Sequence, residues 1–216
     1  MILQIATPPH DELTFIELLL KGGIVMIPIL LLSVAAIYVA IERFLYLRST
    51  LSKDANFLSK ITRALSSGNM ADAKRYAESE NSSTGRIIGT GLDSVGRPMR
   101  EIESLMESAT NIEVSLMERN TGYLGIIAGV APMVGFIGTI VGIIHIFYNI
   151  SLSDNISIGI IAGGLYEKMI TSGSGLAVGI MAYLCYHLLQ LRIDRFTLQI
   201  QKDVFDFMRA IQAPAK

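Results

Sequence analysis

The stretch Ile156–Leu191, ISIGIIAGGLYEKMITSGSGLAVGIMAYLCYHLLQL, decides the fold. It exceeds the roughly 20 residues a helix needs to cross a bilayer. Its only charged residues are Glu167 and Lys168. Lipid offers the backbone no hydrogen-bond partners, so a spanning segment closes its own bonds as a helix. A carboxyl group at that depth commonly costs a few kcal/mol, and such acids mark sites of function. Glu167 is therefore the leading candidate for chemistry. A purely structural acid, bonded to Lys168 or to a neighbouring helix, is the competing reading. Adjacent residues point about 100° apart on a helix, so Glu167 and Lys168 do not face each other. Lys168 can snorkel to an interface or meet another subunit's acid.

Two more apolar runs flank this one. Ile24–Ile41 ends at Glu42-Arg43, and no charge occurs between Arg119 and Asp154. The chain of 216 residues is 51% hydrophobic and 17% charged, with mean hydropathy +0.48. Soluble domains carry about 25% charge, so a membrane protein is expected. The net charge of −1 gives no sign of a nucleic-acid partner. No signal peptide is expected, because nothing basic precedes Lys21 and the first run exceeds a normal signal core.

Lysine and arginine cluster between the first two runs, from Arg48 to Arg119, and in the tail, from Arg192 to Lys216. The positive-inside rule places both regions in the cytoplasm. The expected order is an outer segment 1–21 with an amphipathic helix at Leu13–Leu20, a span at 22–47 and a cytoplasmic helical region at 48–118. A second span at 119–148, an outer loop at 149–157, a third span at 158–191 and a cytoplasmic helix at 192–216 follow. The fold class is all-α, with three transmembrane helices, two of them long and extended into a cytoplasmic bundle.

Ile102, Leu105, Ala109, Ile112 and Leu116 recur at helical spacing, as do Ile193, Phe196, Ile200, Val204, Phe207 and Ile211. One continuous helix is expected from Pro98, in its first turn, through the second span, since no proline or glycine intervenes before Gly122. The tail helix should reach about Gln212. Two short helices are expected between Ser52 and Glu80, one with Phe57, Leu58, Ile61 and Leu65 on its face, the other capped by Asn69 with Asp72 nearby. A turn at Ser66-Ser67-Gly68 separates them, and Asn81–Gly85 reads as a loop.

The second span carries Ala128, Ala131, Gly135, Gly138 and Gly142 at intervals of three and four. Such stripes let helices approach closely in lipid. Thr139 and Pro132 lie near the stripe, and Pro132 should bend the helix or free a carbonyl. In the third span, Thr171, Ser172, Ser174, Gly175 and Gly179 follow Glu167. Thr171 and Ser174 share its face, so a line of hydroxyls accompanies the acid. His145 and His187 suit interhelical hydrogen bonds better than a metal site. Cys185, the one cysteine, reads as a small buried hydrophobe. No cofactor, metal site or enzymatic constellation is indicated.

Three signatures are shared with a known family. They are Gly22-Gly23, Met26, Pro28, Ser33 and Ile41-Glu42-Arg43; Ala131-Pro132 with Gly135-Phe136-Ile137-Gly138-Thr139-Ile140-Val141-Gly142-Ile143; and Glu167-Lys168-Met169-Ile170-Thr171-Ser172 with Gly175-Leu176-Ala177. Together they resemble the ExbB/TolQ proteins of the MotA/TolQ/ExbB family, ExbB most. The resemblance implies a homopentamer in the inner membrane of Gram-negative cells, with spans two and three around a central pore. It implies two copies of a single-span ExbD/TolR-like partner in that pore, whose aspartate is the other proton carrier, and a TonB-like protein that carries force to outer-membrane transporters. Glu167 matches the pore glutamate and Thr139 the second-span threonine. Ser172 falls where many members have a threonine, with Thr171 beside it. Lys168 departs from the small residues common there. MotA proper, longer with four spans, is less similar.

The sequence-based expectation is an ExbB-type proton-conducting motor subunit, whose pathway is Glu167, Thr139, Thr171 and Ser172 and whose packing positions are Pro132, Gly135, Gly138, Gly142 and Gly175. The alternatives are a TolQ-type subunit for envelope integrity and a non-conducting scaffold. A solute transporter fits poorly, because three spans without an inverted repeat leave little room for a solute site.

Overall fold

The structure, a computed structural model, describes residues 22–52, 54, 56–152 and 158–212, except the side chains of Ile160 and Glu167. The expected helix at Leu13–Leu20 and most of the loop at 149–157 lie outside them. Seven helices occur among the described residues: α1 (Met26–Thr50), α2 (Phe57–Ser66), α3 (Met70–Ser79), α4 (Ser83–Asp93), α5 (Met99–Glu118), α6 (Thr121–Leu152) and α7 (Ile158–Gln212). Three helical stretches are long and apolar enough to cross a membrane, and they include α1, α6 and most of α7. The chain divides into two units. One comprises residues 1–35 and 126–181, the other residues 36–125 and 182–216.

The second unit is a helical bundle around one core. Phe57 and Ile61 of α2, Ala73 and Ala77 of α3, Ile87, Ile88 and Leu92 of α4, Ile102 and Met106 of α5, and Ile200 and Phe207 of α7 form its buried centre. Of the predicted tail stripe, Ile193, Ile200 and Phe207 are buried, and Phe196, Val204 and Ile211 are half-buried. Local signals explain α2 and α3. Gly68 takes φ 72°, which closes the turn after α2. The Asn69 side chain accepts a hydrogen bond from the Asp72 backbone N–H at 3.1 Å, capping α3.

Three expectations need correction. Asn81–Gly85 is not a loop throughout: Ser82 caps α4 by accepting from Gly85 N at 3.3 Å, and the helix starts at Ser83. Gly85, Gly89 and Gly91 lower its intrinsic propensity, but packing leaves no room for a side chain at Gly85 and Gly91. A Cβ on Gly91 would lie 2.6 Å from Phe207 Cε1 and 2.7 Å from Met106 Sδ. The long helix from Pro98 is also interrupted. Pro98 is the cap of α5 rather than a residue of its first turn, and α5 ends at Glu118. Asn120 adopts φ 67° before α6 begins. Asparagine enters that left-handed region more readily than other side chains, so the break needs neither proline nor glycine. Thr121 Oγ1 then donates to Glu118 O at 2.7 Å across the break.

The third correction concerns which face of α5 is inside. Ile112 is 61% exposed, and the buried positions are Ile102, Met106, Glu113 and Met117. Glu113 turns inward because α4 supplies its counter-charge. Arg86 donates from Nε to Oε1 at 2.7 Å and from Nη2 to Oε2 at 2.6 Å. Ser83 Oγ donates to Oε2 at 2.7 Å. These charge-assisted bonds, Arg86's first, hold the Glu113 carboxyl below its ordinary value of 4.5, outweighing the opposing effect of burial.

That depression fixes a pH dependence. The stabilisation from Glu113 is fully present above the unfolded-state value near 4.5, and it is lost as pH falls through the lower folded-state value. Glu113→Gln should therefore weaken the bundle at neutral pH and flatten its acid limb. Denaturation curves of the purified protein over the acid range check this. Parallel acid limbs for wild type and variant would contradict it.

Candidate polar track along the α6–α7 contact

In the first unit α6 and α7 meet along the predicted stripe of small residues. Backbone approaches backbone at three levels. A Cβ on Gly175 would lie 2.6 Å from Ala131 O and 3.1 Å from Gly135 Cα. One on Gly135 would lie 3.0 Å from Thr171 O and 3.1 Å from Ser172 Cα. One on Gly179 would lie 2.5 Å from Pro132 Cγ and 3.0 Å from Ala128 O. The last contact accounts for Pro132. Lacking an N–H, it cannot bond the carbonyl four residues earlier, that of Ala128, and Gly179 lets α7 close over that position.

The hydroxyls sit on this contact. Thr139 Oγ1 lies 3.1 Å from Lys168 O on α7 and 3.3 Å from Gly135 O on its own helix, within donating distance of both. Its partner on α7 is thus the carbonyl of the residue that follows Glu167. Thr171 is 1% exposed, and its Oγ1 donates to Gly22 O at 2.9 Å. A Cβ on Gly138 would meet Thr171 Cγ2 at 3.1 Å and Val25 Cγ1 at 2.8 Å. Thr171 therefore joins α7 to α6 and to the turn before α1. Ser172 and Ser174 are half-buried. Glu167 belongs to the α7 backbone, and its side chain lies outside the described residues.

Lys168, whose place was open in the sequence, lies across α6. The space beside Gly142 is filled by Lys168 Cγ, Cδ and Cε, and its Nζ reaches to 3.7 Å from a Cβ position on Gly23. No local pattern reveals this contact. The only hint is that the small-residue stripe runs as far as Gly142. Gly142→Ala should consequently be destabilising with Lys168 present and much less so with Lys168→Ala, a coupling of about 1–2 kcal/mol. A double-mutant cycle on thermal unfolding measures it, and additive effects would contradict the contact.

The other candidates make none of these contacts. His145 is exposed. His187 packs edge-on to Tyr183 at 4.2 Å and to Tyr186 at 5.2 Å, rings of its own helix, where an interhelical bond was expected. Cys185 is half-buried. Among the described residues no group of His, Cys, Asp or Glu is arranged to hold a metal ion.

Residues 79–202 match the profile of the MotA/TolQ/ExbB proton channel family. The chain belongs to this family. The match begins at the end of α3 and includes all of α6 with its contact on α7. Relatives extend the similarity over most of the chain. An ExbB homolog named for biopolymer transport in Methanothermobacter thermautotrophicus is 30% identical over 182 residues, covering 84% of this chain and 64% of that protein. An ExbB-like protein of Synechocystis sp. is 29% identical over 198 residues, covering 89% and 74%. The Tol-Pal system protein TolQ of Haemophilus influenzae is 27% identical over 221 residues, covering 91% of each chain. The chain thus spans under two thirds of the archaeal relative's length and nearly the whole of TolQ's. Membership in the MotA/TolQ/ExbB family also agrees with three helical stretches long and apolar enough to cross a membrane.

Proposed function

We propose that this chain is a proton-conducting motor subunit of ExbB type in a bacterial inner membrane, with its N-terminus in the periplasm and its C-terminus in the cytoplasm. It is a non-enzymatic subunit that assembles as a homopentamer around a single-span ExbD/TolR-like protein and works with a TonB-like protein. The observation that carries this reading is the Thr139 hydroxyl on Lys168 O, one residue from Glu167, at a glycine-lined helix contact. A hydroxyl both donates and accepts, so Thr139 can take a proton on one side and release one on the other. Glu167 is the group that loads and unloads. The one other acid in the expected spans, Glu42, is engaged by Arg43, so the partner's carboxyl completes the relay.

Proton flux into vesicles reconstituted with chain and partner tests this function. Thr139→Ser should retain most of the flux, and Thr139→Val should lower it by about tenfold or more, the scale of one proton-transfer group. Equal flux in Thr139→Val and wild type would remove the hydroxyl from the path.

A TolQ-type role is the second reading, supported by the end-to-end match to a TolQ protein. The partner that co-purifies from native membranes separates the two: a TonB-like protein for the first, Tol-type components for the second.

A further inference from the structure

We propose that the groove between the C-terminal half of α1 and the middle of α7 binds one anionic glycerophospholipid, with its phosphate on Arg192 and Arg195. The groove has a volume of about 520 Å³, and its walls include Ile41, Phe44, Leu45 and Leu188, with both arginines at its lining. These four side chains are exposed within the chain. A second cavity of about 270 Å³ shares Arg192 and Arg195 and adds Leu51, Thr84, Phe196 and Gln199. Both arginines therefore line the apolar groove and the smaller recess beside it. An apolar groove with two guanidinium groups in its lining suits the acyl chain and the phosphate of a phospholipid.

Charge selects the class of lipid. The Arg192 guanidinium stacks on Phe44, 4.6 Å from the ring centroid, which holds the cation beside the apolar wall. Guanidinium groups match phosphate oxygens with a planar fork of donors. Glu42, the acid of α1, is engaged by Arg43 and does not oppose an anion. Asp194 follows Arg192 by two residues and is exposed on another side of the helix. A zwitterionic headgroup would bring its own cation toward the arginines, whereas an anionic one would not. Basic pockets between membrane helices on the cytoplasmic side suit anionic headgroups for this reason. Which leaflet supplies the lipid rests on the orientation proposed above. Binding in micelles does not depend on that orientation, so the two ideas fail separately.

The test is native mass spectrometry of the detergent-purified complex titrated with phosphatidylglycerol or phosphatidylcholine. Phosphatidylglycerol should bind about tenfold more tightly, a difference of about 1.4 kcal/mol. Arg192→Gln with Arg195→Gln should erase that preference. Leu188→Trp, which fills the groove and leaves the charges in place, should lower phosphatidylglycerol binding by a similar factor. Equal binding of the two lipids by wild type would overturn the proposal, as would an unchanged preference in the double variant. A Cys185–Cys185 crosslink between copies that excludes lipid would also overturn it, because the occupant would then be a second copy of the chain.

Discussion

Gly175→Leu should leave a protein that reaches the membrane and fails to assemble. The reason is backbone contact. At Gly175 the nearest atoms to an added Cβ are Ala131 O at 2.6 Å and the Gly135 backbone at 3.1 and 3.2 Å. Neither a carbonyl nor a Cα can rotate aside as a flexible side chain can. One methyl group, in Gly175→Ala, should cost about 1–3 kcal/mol, the range for overpacking a tight contact. A leucine should force α6 and α7 apart along the whole stripe, because Gly135 and Gly179 depend on the same spacing. Gly173 provides the control. It lies on the same helix, two residues away, with nothing within 4 Å of an added Cβ. Gly173→Ala should be neutral or slightly stabilising, since alanine favours helix over glycine by up to about 1 kcal/mol. Thermal unfolding and the mass of the detergent-solubilised complex read both effects. Equal responses at 173 and 175 would mean the close contact of α6 with α7 is not what holds the spans.

The contrast between those two glycines shows what the sequence can reveal. The stripe Ala128, Ala131, Gly135, Gly138 and Gly142 is periodic, and periodicity is local, so its role in packing is legible. The caps at Asn69 and the turn at Gly68 are legible for the same reason. The helix at Ser83–Asp93 is not, because three glycines weaken its local signal and its stability comes from Phe207, over a hundred residues downstream. The inward turn of Glu113 depends on Arg86, 27 residues before it in the chain. Without that partner, periodicity favours Ile112 and Leu116, and these are exposed in the structure. At Asn120 the chain breaks through a residue that only occasionally adopts positive φ, and nothing in the flanking sequence demands it.

The candidate site divides the same way. Thr139 and the residues after Glu167 can be picked out by spacing alone. Their partners cannot. Thr171 shares a helical face with Glu167 in sequence, yet its hydroxyl donates to Gly22, 149 residues earlier. Thr139 was expected beside a path, and its partner is a main-chain carbonyl of α7. Lys168 occupies the notch that Gly142 leaves. The distinction between a hydroxyl that joins helices and one that relays protons is therefore chemical rather than positional, and it must be measured.

Glu167→Gln provides the measurement. The amide keeps the size of the side chain and its capacity for hydrogen bonds but cannot take up and release a proton in this range. If Glu167 is the titrating carrier, vesicles holding the Gln variant with its partner should pass protons no faster than vesicles holding the chain alone. The mass of the complex and its unfolding temperature should match wild type. Flux at the wild-type level in an intact complex would contradict the account at its centre. Loss of assembly with normal flux per remaining complex would contradict it as well, because Glu167 would then be a structural acid.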